Sequence, residues 1–181
     1  MPLSRADAAQ ILALGEGRSL RDELIAYGRG VAEANGVDPD VFMRQIQQES
    51  GWEHLDTRGQ IKGSSAGARG IAQIVPRYHP NANWQDPYES LDYAARLMAN
   101  HLRTYGGDYT RALVAYNGGG GAVAQYDKGT PYAESQLYVK NILGGQMQTS
   151  GGPAPPRGDP NQVGSEAWIA AQGARVPGAI G

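Results

Sequence analysis

In the stretch VDPDVFMRQIQQESGW, residues 37–52, the apolar side chains Val41, Phe42 and Ile46 fall at helical spacing between polar neighbours. That spacing sets Phe42, Ile46 and Glu49 on one helical face, the face that turns inward. Asp38 is a candidate N-cap, and Pro39 follows at the first helical position, where a missing N–H is harmless. QDPYESLDYAARLMANHLRTYGG repeats this grammar with Asp86 as cap and Pro87 next. Leu91, Ala94, Ala95, Met98, Leu102 and Tyr105 form its inward stripe, and Gly106 and Gly107 stop it. DYTRALVAYNGGGG predicts a short apolar helix that ends in four glycines. PYAESQLYVKNILGG predicts another, with Leu137, Ile142 and Leu143 apolar and Gly144 as its stop. Residues 6–35 read as helical with a break near Gly15 and Gly17, and alternating strand patterns are nearly absent.

The reading is therefore an all-α domain over about residues 5–145, with irregular loops at 51–64 and 74–86. It divides into an N-terminal helical segment (1–36), a central helical domain (37–145) and a tail (146–181). Nearly half of residues 144–164 are Gly or Pro, a composition that buries too little surface to offset the entropy of ordering. That stretch reads as a linker or arm, with a short helix expected at 165–175.

Composition narrows the function classes. The 181 residues carry a net charge of -2, which leans against a nucleic-acid binder. The absence of cysteine excludes disulfides and thiolate catalysis. No apolar run approaches the ~20 residues that would cross a bilayer, so no membrane insertion is expected. His54, His79 and His101 lack regular ligand spacing, so no metal site is expected either.

Three stretches carry candidate chemistry as a set: ESGW (49–52), SSAGARGIAQIVP (64–76) and LVAYNGGGGAV (113–123). PYAESQLYV (131–139) and DPYESL (86–91) add weaker elements. Together, over residues 38–143, they resemble the soluble lytic transglycosylases, goose-lysozyme-like enzymes that cut peptidoglycan. The resemblance implies a lysozyme-like fold with Glu49 as catalytic acid/base. It places Ser64 near the acid and the sugar, gives Gly70 and Gln73 to the cleft wall, and sets Tyr116 and Asn117 beside the acid. It turns Glu134 towards the cleft. It further implies cleavage of the MurNAc–GlcNAc β-1,4 bond with a 1,6-anhydro product, peptidoglycan strands as partner and no cofactor.

Physical chemistry supports the acid's role. A carboxyl protonates a departing glycosidic oxygen near neutral pH only if it keeps its proton, and burial against apolar side chains raises its pKa. Taken singly, the same residues read more plainly. Gln73 would be a loop hydrogen-bonder, Tyr116 a core residue, Glu134 a structural acid and Gly118–Gly121 a helix stop. Trp52, Trp84 and Tyr88 are candidates for stacking on sugars, with core packing an equal reading of Trp52.

The sequence departs from the family in two places. From Glu49 to Ser64 is 15 positions, so the loop EHLDTRGQIKG is long, and Ala72 stands where the family often has Met. Two other functions stay open: a hydrolytic muramidase or chitinase with Asp56 as second carboxylate, and a wall-binding module of a virion or secretion apparatus. The lack of a signal peptide and the Gly/Pro-rich tail suit a phage virion or tail protein acting in the host periplasm. The bacterial periplasm is the other setting.

Overall fold

The computed structural model describes residues 19–144, which hold five helices and no strand. The expected helix break at Gly15 and Gly17, the tail and its short helix lie outside the described residues. Two compact units emerge. One comprises the chain up to Pro76 with Asn81–Arg96; the other comprises Arg77–Pro80 with the chain from Leu97.

The first unit begins with α1 (Leu20–Ala34). Its capping box is complete: Ser19 Oγ accepts from the Asp22 amide, and the Asp22 carboxylate accepts from the Ser19 amide. The helix buries Leu24, Gly28, Val31 and Ala32. It packs on α2 (Pro39–Ser50), which starts as the sequence predicts, with Asp38 Oδ1 accepting from the amides of Asp40 and Val41. Phe42 and Ile46 are fully buried. Trp52 is also core, and a Cβ on Gly28 would lie 2.6 Å from its Cη2 atom, so glycine is what lets the indole close on α1. The sugar-stacking reading of Trp52 is thereby corrected: a ring sealed in the core cannot meet a glycan.

Between residues 51 and 86 the described chain has no helix; only isolated bridges pair Leu55 with Ile61, Gly63 with Arg69 and Arg69 with Ile74. Irregular backbone therefore includes residues 65–73, which the sequence reading had not assigned to a loop. α3 (Pro87–Thr104) opens as predicted, with Asp86 Oδ1 accepting from Tyr88 and Glu89 amides. Its inward stripe of Leu91, Ala94, Ala95, Met98 and Leu102 is buried, while Tyr105 lies past the helix end and is half-buried. Tyr88 sits edge-on to Tyr27 with ring centroids 5.0 Å apart.

In the second unit, α4 (Tyr109–Asp127) runs longer than the sequence predicts. The four glycines do not end it; they bend it. Gly119 alone departs from helical backbone, at φ 69° and ψ -173°. Arg111 Nε nevertheless lies 2.8 Å from Asp127 Oδ1. Sixteen residues of straight helix would hold these two residues about 24 Å apart, so the two halves must fold back on one another at Gly119. A side chain at Gly118 would meet Ala122 Cβ at 2.7 Å, so the bend also needs glycine there. The Arg111 guanidinium is buried and paired with both Asp108 and Asp127, which joins the start of the first half to the end of the second.

α5 (Ala133–Leu143) packs on α4 through Ser135, Tyr138, Val139 and Ile142. Leu137, one of its apolar residues by sequence, is largely exposed, and Gly144 caps the helix in the left-handed conformation.

Burial holds both His79 and His101 of this unit well below the usual imidazole value, at about 4, and for His101 the positive charge of His79 adds to that effect. Because the folded values are depressed from 6.5, their stabilisation is fully present above that pH and is lost as pH falls towards 4. The drop at His101 alone corresponds to about 3 kcal/mol. Thermal midpoints should therefore fall by several degrees between pH 7 and pH 4.5, and His101→Phe should flatten that dependence in a calorimetric pH series.

Candidate active site

Glu49 occupies the last turn of α2, half-buried, one turn beyond the fully buried Phe42–Ile46 pair. The helix stops one residue later, at Ser50. Gly51 takes the left-handed conformation at φ 70° and donates its amide to Gln47 O, and Trp52 follows at φ 66°. A buried tryptophan in that region is strained by about 1–3 kcal/mol and persists only because its surroundings fix it. The stop therefore rests on a core anchor at Trp52, and it fixes where the glutamate's turn ends. Gln45, one turn earlier on the same helix, is fully buried, and neither of its amide atoms has a hydrogen-bond partner among the described residues.

The long loop reaches back to this helix end. Lys62 Nζ donates to Ser50 O at 2.6 Å and to Glu53 Oε2 at 2.9 Å. A cation on the terminal carbonyls also complements the helix dipole. The Lys62 hydrogen bond and charge hold the Glu53 carboxyl below its ordinary value. Nothing in the periodicity of the sequence singles out Lys62; its role arises from a contact across twelve residues.

Asp56, considered as a second carboxylate, is spoken for within its own loop. Its Oδ1 accepts from the amides of Arg58 and Gln60, and its Oδ2 accepts from the Arg58 guanidinium. The Gln60 amide first, and the Arg58 side chain next, keep its pKa low. This is a turn-building aspartate.

Ser64 is exposed. Its hydroxyl accepts from the Ala68 amide at 3.2 Å, while its own amide donates to Ala68 O, so Ser64 closes a small turn. Gly70 is buried at φ 69°, and a Cβ there would stand 2.7 Å from Trp84 O and 3.1 Å from His54 Cε1. Gln73 is half-buried at φ 47° and folds its amide onto Gly70 O at 2.8 Å. The Gly-x-x-Gln element is thus a self-braced turn.

His54, which motif reading passed over, braces the same turn. Its Nδ1 accepts from the Ile71 amide at 3.3 Å, which leaves Nε2 to donate to Gln85 O at 3.0 Å. Ser90 is fully buried, and its hydroxyl has no partner among the described residues.

These residues belong to the first unit; Tyr116, Asn117 and Glu134 belong to the second. Tyr116 and Asn117 are half-buried just before the bend of α4, and Asn117 Oδ1 accepts from Ser135 Oγ at 3.0 Å. Glu134 is exposed in the first turn of α5, where a carboxylate also suits the helix dipole. Among the described residues no cluster of three or more metal-ligating side chains occurs, and no helix is long and apolar enough to cross a membrane.

No solved structure matches the chain. The family model described as the transglycosylase SLT domain matches residues 27–139, a span that contains all seven candidate residues. That is well over half of the 181 residues, so the chain belongs to the SLT transglycosylase family, and its chemistry is the lytic-transglycosylase type of peptidoglycan cleavage.

Proposed function

We propose that this chain cleaves the MurNAc–GlcNAc β-1,4 bond of peptidoglycan without water, with Glu49 as its single acid/base. Glu49 protonates the departing GlcNAc oxygen as the MurNAc C1–O bond breaks and the ring becomes oxocarbenium-like. The substrate's own acetamido group assists at C1. The carboxylate left behind then takes the proton of the MurNAc C6 hydroxyl, whose oxygen attacks C1 and closes the 1,6-anhydro ring. Proton and electron pairs balance within enzyme and substrate, so the cycle calls on no second carboxylate, metal or cofactor.

The observation that carries this reading is the setting of Glu49: half-buried, on the face of two fully buried side chains, at a helix end clamped by Gly51, Trp52 and Lys62. Such a setting holds the carboxyl in one place at the helix end, as an acid that must meet a departing oxygen requires. Asp56's four hydrogen bonds speak against its recruitment to position a hydrolytic water. Ser64, Gly70 and Gln73 serve by shaping the wall, and Tyr116, Asn117 and Glu134 by orienting the glycan. The site of action is wherever peptidoglycan lies, in the periplasm or at the cell wall.

Mass spectrometry of muropeptides released from sacculi tests the reaction type. Products should be lighter by one water than reducing-end products, and a dominant population of reducing ends would replace transglycosylation with hydrolysis.

A further inference from the structure

We infer that Ser135 is a positioning residue that fixes which side of the Asn117 amide meets the substrate. Ser135 sits in the first turn of α5 and is 2 % exposed. The one hydrogen bond its hydroxyl makes among the described residues goes to Asn117 Oδ1, at 3.0 Å and eighteen positions away in sequence.

The sense of that bond follows from what burial tolerates. A buried O–H without an acceptor is costly, whereas a hydroxyl with unfilled lone pairs is a smaller loss. Were the amide turned over, Ser135 would accept from Nδ2 and its own hydrogen would have no acceptor. Donation to Oδ1 is therefore the satisfied arrangement. It engages the acceptor end of Asn117 and leaves Nδ2, with two N–H groups, as the end free to bind. Asn117 thus offers donors, and the groups they can hold on a glycan are oxygen acceptors, the acetamido carbonyl among them.

The surroundings favour the same arrangement. Asn117 is the last residue before Gly118 and Gly119, where α4 bends, and such a bend alone does not fix a side-chain rotamer. Ser135 Oγ stands 3.7 Å from where a Gly118 Cβ would be, so the hydroxyl lies against the bend itself. α5 thereby sets the amide from outside α4.

This inference rests on Asn117 belonging to the site, and the test separates the two ideas. Release of soluble muropeptides from sacculi is measured for Ser135→Ala, Ser135→Thr, Asn117→Ala, Asn117→Asp and the Ser135→Ala/Asn117→Ala double variant, with a thermal midpoint for each. Ser135→Ala should lose about tenfold in rate, one hydrogen bond's worth of positioning, and Ser135→Thr should restore most of it. In the Asn117→Ala background the Ser135 change should have no further effect, an outcome that a purely structural serine would not give. Asn117→Asp keeps the acceptor that faces Ser135 but removes the donors, so it should be as slow as Asn117→Ala.

Wild-type rates in Ser135→Ala, an undiminished Ser135 effect in the Asn117→Ala background, or an active Asn117→Asp each overturn the inference while Asn117 stays in the site. Wild-type rates in Asn117→Ala remove Asn117 from the site and the inference with it.

Discussion

Glu49→Gln should reduce the release of muropeptides from sacculi by at least about a hundredfold and leave the thermal midpoint within a degree or two. The rate loss follows from the chemistry: glutamine has no proton to hand to the leaving oxygen, and a positioned acid contributes on the order of 10² to 10⁴ in rate. The unchanged midpoint follows from the setting. Glu49 is half-buried at the end of a helix whose anchorage comes from Phe42, Ile46 and Trp52, and glutamine keeps the volume. A variant that retains a substantial share of the wild-type rate, measured on folded protein, would remove Glu49 from the catalytic role.

Gly70→Ala should be the most damaging single-methyl addition in the first unit. Two separate penalties act there. Left-handed backbone at φ 69° disfavours any Cβ by about 1–2 kcal/mol. The new methyl would also stand 2.7 Å from the carbonyl oxygen of Trp84, which is backbone and cannot rotate away. Together they predict a loss of roughly 2–4 kcal/mol. In a chain of this size that is a fall of roughly 5–15 °C in midpoint. Gly67→Ala is the control: its φ is 89°, but nothing lies within 4 Å of the added Cβ, so only the backbone penalty applies. Equal midpoints for the two variants in differential scanning calorimetry would show that the approach of Gly70 to Trp84 carries no weight.

Local chemistry made parts of this molecule readable in advance. Asp38–Pro39 and Asp86–Pro87 announce helix starts because capping needs only the residues that immediately follow. The stripe from Leu91 to Leu102 announces a buried face because helical period and burial coincide. The same reasoning expects Glu49 on the inward face with Phe42 and Ile46; at the helix end it is half-buried.

What escaped has no local signature. The glycines after Asn117 read as a stop, since nothing nearby reveals that Arg111 and Asp127 will pair across sixteen residues and continue the element beyond a bend. His54, Lys62 and Ser135 gain their roles from contacts formed only on folding, so no spacing singles them out. Gln45 fills a core position where periodicity favours an apolar residue, and Trp52, aromatic and just past the acid, passes for a sugar platform until its burial is seen.

The Arg111–Asp127 clasp has a consequence for how such a chain can vary. Because both ends of α4 are gripped by one guanidinium, the contour between them is fixed, and a residue gained or lost there would shift every following side chain out of phase with α5. The segment around Asp56 is tied differently. Its turn closes on itself through Asp56 and the Leu55–Ile61 bridge, so it can grow without disturbing its base. Change in length is thus tolerated in the Asp56 segment and resisted in α4.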